Sequence, residues 1–317
     1  MSGRGRNARS RLLRDVDGIL LLDKPEGISS NAALQRVRRA FRARKAGHTG
    51  SLDPLASGLL PVCLGQATKA SAMLLDADKA YCFRLALGRS TTTGDREGET
   101  GEVAGVPDLD EAAVRAHVGA FVGDSMQVPP MYSALKHEGE RLYRLARAGV
   151  EVERPPRRVH ISRLALTGSG PGWLDFEVAC SKGTYIRTLA EDIARALGTV
   201  GHVASLRRTG LGPFTGMPMH ELDRLEAEAA AGADLDGLLV AVDEALPGLP
   251  AVQLGAAEQD SVLQGRAVPA QGPGASQVRM YGADGRFLGV GRMSAEGARL
   301  APERIMVRLP ERAVSRA

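Results

Sequence analysis

Apolar positions fall into two rhythms along the chain, and these place its first elements. Gly18-Ile19-Leu20-Leu21-Leu22 is an unbroken apolar run, which predicts a short buried strand stopped by the turn Asp23-Lys24-Pro25-Glu26-Gly27. Ser29, Ser30 and Asn31 offer N-cap oxygens to a helix whose apolar line is Leu34, Val37, Phe41. A glycine-punctuated loop from Gly47 to Gly58 leads into a second apolar run, Leu59 to Leu64. Tyr81, Phe83, Leu85 and Leu87 then alternate with Cys82, Arg84 and Ala86, the period of a half-buried strand. Arg89 to Val106, rich in Thr, Gly and acids, reads as an exposed loop, and Asp108 to Phe121 as a capped helix.

Further along, Val159 to Leu166 and Trp173 to Cys180 predict strands. After the turn Ser181-Lys182-Gly183-Thr184, Ile186, Leu189, Ile193 and Leu197 recur on one helical face, with Gly198 suited to the C-terminal cap. Ala-rich helical sequence runs from about Glu221 to Ala245 and meets a natural boundary at Pro247-Gly248-Leu249-Pro250. Beyond it, glycines between short apolar runs predict a small β-rich domain. Strands and helices in irregular order indicate an α+β fold rather than a doubly wound sheet.

Composition narrows the class. The 317 residues are 44% hydrophobic and 25% charged, ordinary for a soluble globular chain. Lys and Arg outnumber acids 41 to 37, a mild bias toward polyanions. Its distribution says more: Arg36, Arg38, Arg39, Arg42, Arg44 and Lys45 form a run without acids, which favours phosphate contact over a solvated helix face. Arg154, Arg157 and Arg158 form a second cluster, and Arg141, Arg144 and Arg147 a third on a helical stretch. Cys63, Cys82 and Cys180 are far apart in apolar stretches and fit reduced core positions, and neither they nor the histidines have metal-ligand spacing. No metal is expected. The basic N-terminus has no signal-peptide core, and no apolar run could span a membrane, so a cytoplasmic protein with a flexible basic leader over residues 1–16 is expected.

The loop Gly47-His48-Thr49-Gly50-Ser51-Leu52-Asp53-Pro54-Leu55-Ala56-Ser57-Gly58 is the most unusual local feature. Glycines let a backbone approach a ligand closely, but no Gly-Lys-Ser/Thr follows, so it is not a Walker phosphate loop. On composition alone Asp53 reads first as a turn residue, because Asp-Pro is a common turn dipeptide and Asp caps helices.

A resemblance shifts that balance. The loop, extended through Leu59-Leu60, is similar to the signature of the TruB-type pseudouridine synthases that act at tRNA position 55. Gly18 to Ser30 resembles that family's first motif, and Asp78-Lys79-Ala80-Tyr81, Met131 to Lys136, Cys180 to Leu189 and Leu206-Arg207-Arg208 resemble later ones in order. The matches run from about Gly18 to Val242, and several long motifs in sequence make a specific signal. The resemblance implies a mixed, largely antiparallel sheet with flanking helices over residues 17–247, an RNA-clamping insertion at about 124–150 of the bacterial stand-alone kind, and a PUA-like RNA-binding domain over 250–310.

Residue by residue, it implies Asp53 as the catalytic carboxylate and Arg187 as its partner. His48 would contact the flipped nucleotide or hold open its place in the RNA, against the plainer reading of a loop-stabilising hydrogen bond. Tyr81 would lie against the target base, although it shares a strand face with Phe83 and Leu85 and could be a core aromatic. Tyr185 would line the same pocket, and Leu206 would touch substrate, though core packing accounts for a leucine equally well. Lys24 would shape its turn or touch RNA.

The implied reaction breaks the N1–C1′ bond of a uridine, turns the uracil and joins C5 to C1′. Bonds broken and made balance, so the expected enzyme, an isomerase, uses no cofactor. Its expected partner is the T-arm of tRNA, bound by a monomer. Two other readings stay open: a non-catalytic RNA-binding protein, and a hydrolase that uses Asp53 to cleave a glycosidic bond, a chemistry that ordinarily wants a second carboxylate.

Overall fold

The computed structural model describes residues 13–133 and 135–308. The first apolar run forms strand β1, Gly18–Lys24, and it is apolar throughout because both its faces are covered. Leu20 and Leu22 enter one apolar cluster and Ile19 and Leu21 another on the opposite face. Helix α1, Ser30–Ala40, begins where expected: the Ser29 side chain accepts from the Ala32 N–H, and Leu34, Val37 and Phe41 are buried. Strand β2, Ala46–His48, and strand β3, Ser57–Leu64, flank the Asp53 loop. Helix α2, Ser71–Leu75, precedes β4, Lys79–Leu87.

The stretch read as an exposed loop differs from that expectation. Strands β5, Arg89–Thr91, and β6, Thr100–Val103, form a hairpin, and Thr91 and Asp95 are buried. Helix α3, Glu111–Gly119, is capped by the Asp110 side chain, and β7, Gly123–Gln127, follows it. The insertion contains the small ladder β8, Lys136–His137, with β9, Glu140–Arg141, and the helix α4, Leu142–Arg147. Next come β10, Arg157–Gly170, β11, Trp173–Cys180, helix α5, Ile186–Ala196, and β12, Gly201–Leu211. Strand β13, His220–Glu221, leads into α6, Leu222–Ala230. Helix was expected to continue to Ala245, but Gly232 takes a left-handed φ of 82° and Leu235 is drawn into the core, so short 3-10 turns replace it. Tertiary burial overrides alanine propensity there.

Among the described residues, nine strands make one sheet in the order β13-β1-β3-β12-β4-β11-β10-β7, with β2 on β3. Only β1·β13 and β12·β3 are parallel, giving a mixed, largely antiparallel α+β sheet. The parallel β12·β3 pair places Arg208 opposite Gly58 in the middle of the sheet. Gly58 has φ 94°, and a Cβ there would collide with the Arg208 carbonyl oxygen, so this crossing needs glycine.

After Pro250 come β14, Ala251–Gln253, helix α7, Ala256–Leu263, and strands β15, Val268–Pro269, β16, Gln277–Tyr281, β17, Phe287–Met293, and β18, Arg299–Ile305. The strands form a five-stranded sheet with its own apolar core, a β-rich C-terminal domain. Val290 and Met306 also join the cluster of Ile19, Leu21 and Phe214, so this domain rests on the back of the large sheet. Of the basic leader, residues 1–12 lie outside the described residues. Arg14 exchanges backbone hydrogen bonds with Arg42 and Arg44, and Val16 is buried. No helix among the described residues is long and apolar enough to cross a membrane.

Candidate active site

The loop between β2 and β3 is held on both sides of its acid. On one side, the buried Ser30 hydroxyl accepts from the Leu52 N–H at 2.7 Å and donates to the Leu52 carbonyl at 2.9 Å. Ser30, expected among the N-cap candidates, therefore serves the loop while Ser29 caps the helix. On the other side, the Pro54 carbonyl accepts from the Gly27 N–H at 2.8 Å. Lys24, with no exposed surface, donates from Nζ to the carbonyls of Ile28 at 2.7 Å, Pro25 at 2.8 Å and Pro54 at 3.4 Å. Burial pulls the Lys24 ammonium down to about 8, against the opposing pull of the Asp53 charge. With its neighbours fixed, Asp53 projects into the open with its side chain 44% exposed.

Arg187, from the first turn of α5, meets it. Its Nη2 lies 3.0 Å from Asp53 Oδ2, and the arginine side chain is only 6% exposed. That guanidinium is itself oriented: Nη1 donates to Thr93 O and Nη2 to Tyr132 O, each at 2.7 Å, and Nε lies 3.7 Å from Asp95 Oδ2. Asp95 is almost wholly buried and accepts from the Thr93 hydroxyl and the Glu97 N–H. One buried cation thus faces two carboxylates, one sequestered and one presented to solvent. Asp95 was not singled out in the sequence, because the Thr- and Gly-rich segment around it carries no apolar signal.

Tyr81 sits on β4 with its side chain on the same face as Phe83, half-buried. Its hydroxyl lies close to the guanidinium of Arg208, its register partner on β12. Burial pushes the phenol pKa up, and Arg208 counters that. Tyr185 stands at the N-terminus of α5, where the Gln127 side chain bonds both its backbone groups: Tyr185 N donates to Oε1 at 2.8 Å and Nε2 donates to Tyr185 O at 3.1 Å. That clasp ties the start of the insertion to the site. Lys24, Tyr81 and Tyr185 all lie within electrostatic reach of Asp53, and so does Glu97, whose carboxyl is pushed up by burial and by the charges of Asp95 and Asp53.

Two expected site residues stand apart from that group. His48 is half-buried on the edge strand β2, its Nδ1 enclosed without a hydrogen-bond partner among the described residues. Burial, then Arg208, lowers its pKa and favours neutral imidazole. Leu206 is 7% exposed and packs in the main core opposite Phe83. A cleft of about 380 Å3 lined by Cys82, Arg84, Asp175 and Arg207 does not include Asp53. Strand alternation turns those side chains to the face opposite Tyr81. Among the described residues, no group of three or more His, Cys, Asp or Glu is arranged to hold a metal.

Much of the first basic run is committed within the protein. Arg36 pairs with Asp223 and Glu226, Arg44 pairs with Asp15, and Arg38 donates to the carbonyls of Ala43 and Arg44. Acids missing from the local sequence arrive from α6 and from residue 15. Arg141 and Arg144 of the insertion have no acidic partner among the described residues.

Comparison with known proteins places this arrangement. The model of the TruB family pseudouridylate synthase N-terminal domain matches residues 38–186. Two C-terminal models, of the tRNA pseudouridylate synthase B C-terminal domain and of pseudouridine synthase II TruB, match residues 187–247 and 250–306. A protein of Nitrosococcus oceani called tRNA pseudouridine synthase B is 52% identical over 92% of this chain and 96% of its own length. The chain belongs to the TruB family of pseudouridine synthases. Proteins of the same name as that relative, from Hydrogenovibrio crunogenus and Burkholderia mallei, are 48% identical over 92% and 52% identical over 97% of this chain, covering 94% and 98% of their own lengths. Among solved structures, a Cbf5–Nop10–Gar1 complex matches with a TM-score of 0.70 at 24% identity, over 92% of this chain and 85% of that one. That likeness establishes a shared fold, so this TruB-family chain and Cbf5 present the same sheet.

Proposed function

We propose that this protein isomerises a uridine of tRNA to pseudouridine, at position 55 in the T loop, with Asp53 as the catalytic carboxylate and no cofactor. The observation that carries the reading is the Asp53–Arg187 pair. A rigidly braced loop presents one carboxylate to solvent against a buried, pre-oriented guanidinium, in a chain about half identical to proteins named tRNA pseudouridine synthase B. A carboxylate can attack as a nucleophile and then leave, and a guanidinium fixed by two carbonyls supplies its countercharge without reorganising.

The target atoms of a structured RNA loop are stacked away, so the nucleotide must be flipped out at a cost of about a few kcal/mol. Stacking on Tyr81 and phosphate contacts offset that cost. Tyr185 closes the pocket around the base, Leu206 meets it from the edge of the core beside Phe83, and His48, as a neutral imidazole, contacts the flipped nucleotide or holds open its place in the RNA. Lys24 acts by bracing the Asp53 loop. Arg141 and Arg144, with no acidic partner among the described residues, make the insertion the principal clamp on the T-arm, and the C-terminal domain, PUA-like in this reading, extends the RNA-binding surface. The enzyme works as a monomer in the cytoplasm.

Glu97 keeps a second reading in view. It is a second carboxyl with a raised pKa in the field of Asp53, which a glycosidic hydrolase would use as its acid. A tRNA transcript labelled with tritium at uridine C5 separates the two. The isomerase releases tritium to water, leaves the strand intact and liberates no uracil. Free uracil, with an abasic site in the strand, would establish the hydrolase instead.

A further inference from the structure

Arg208 is 1% exposed and has no acidic partner among the described residues, an expensive way to keep a charge. Its Nε donates to Leu59 O at 2.7 Å and its Nη2 to Gly50 O at 2.9 Å, so one side chain spans the two ends of the catalytic loop. Gly50 has φ 67°, and a Cβ added there would press on Arg208 Nη1 at 3.3 Å, so loop and guanidinium are fitted to each other. Across the strand pair its charge faces the Tyr81 hydroxyl, the residue directly opposite it in register. Carbonyl bracing alone asks for donors and not for a permanent charge. A guanidinium stays protonated even when buried, and here its charge faces a phenol.

We propose that Arg208 is the positioning residue of the reaction, holding the Tyr81 hydroxyl and stabilising the negative charge that develops on its oxygen during proton transfer. The inference rests on the reading that Tyr81 exchanges a proton with the substrate. Isomerisation removes a hydrogen from C5 and adds one at N1. When the N1–C1′ bond breaks, its electron pair stays on the uracil, and Tyr81 lends its proton to N1, leaving a phenolate. After C5 has bonded to C1′, the hydrogen on C5 leaves as a proton and restores the phenol. Atoms and charge balance without a co-reactant. In the interval the phenolate faces the guanidinium of its cross-strand neighbour Arg208, in a buried setting where that attraction is strong. The same charge disfavours protonation of the neighbouring titratable groups, His48 in the loop, Lys24 on β1 and Lys79 on β4.

Single-turnover rates at saturating enzyme test this with Arg208→Gln, which keeps donors and removes the charge, and with Arg208→Lys. Arg208→Gln should slow turnover by about 10²–10⁴-fold, the scale of a lost proton-transfer group, with tRNA affinity within a few-fold. In a Tyr81→Phe background the same change should cost less than about threefold, because the oxygen it serves is gone. A buried lysine loses its proton far more readily than arginine. Arg208→Lys should therefore be active at low pH and fall as pH rises, at a pH below any decline of the wild type, in which Lys24 titrates at about 8, and this arm stands even if the glutamine variant does not fold. Equal losses in the Tyr81 and Tyr81→Phe proteins, or an Arg208→Lys profile parallel to wild type, would reduce Arg208 to a structural brace. Full activity of Tyr81→Phe alone would instead overturn the proton-transfer reading beneath the proposal.

Discussion

Asp53→Asn should form no detectable pseudouridine and still bind tRNA with an affinity within about threefold of wild type. The substitution preserves size and leaves intact the braces on Leu52 and Pro54, because those bonds run through backbone atoms and through Ser30, Gly27 and Lys24. Arg187 keeps its carbonyl acceptors and Asp95. The variant should therefore fold with an unaltered site minus one negative charge. Tritium release from C5-labelled uridine reads the chemistry, and gel-shift titration reads the binding. Turnover near wild type would remove Asp53 from the mechanism, while a collapse of affinity would make it a binding residue.

Tyr81 carries the second large effect, because its ring and its hydroxyl do different work. Tyr81→Phe keeps the ring and removes the oxygen that faces the Arg208 charge. Turnover should fall by about 10²–10⁴-fold, with tRNA held nearly as in the wild type. Tyr81→Leu removes the ring as well and should also lose affinity, since a base stacked on an aromatic is worth roughly 1–3 kcal/mol. Single-turnover rates with circular dichroism to verify folding distinguish these outcomes. A fully active Phe variant beside an inactive Leu variant would leave only the stacking role. Activity in both would return Tyr81 to the core beside Phe83.

The chain announces much of this in its residues, and where it is silent the reasons are physical. Apolar runs and alternation located β1, α1, β3, β4, β11 and α5 because each buries a regular face. The α6 region was over-read because alanine favours helix whether or not tertiary packing lets it continue. In the site, the long loop motif and the Lys-Gly-Thr-Tyr-Ile-Arg run pointed to Asp53 and Arg187, 134 residues apart in sequence and 3.0 Å apart in space. Asp95 escaped because a buried acid in a polar hairpin looks like any surface acid until its partner is known. Arg208 was visible only as one of a pair of arginines. Strand alternation separates them: Arg207 turns outward to Asp23, and Arg208 inward beneath the loop.

The central claim is position-specific isomerisation, and mapping tests it most directly. An unmodified tRNA transcript incubated with the protein, derivatised with a carbodiimide, treated with mild alkali so that only the pseudouridine adduct survives, and read by primer extension, should show one new stop, at uridine 55 of the T loop. The same transcript treated with the Asp53→Asn protein should show none. A stop at another uridine, no stop with the wild-type protein, or an equal stop with the Asp53 variant would contradict the account.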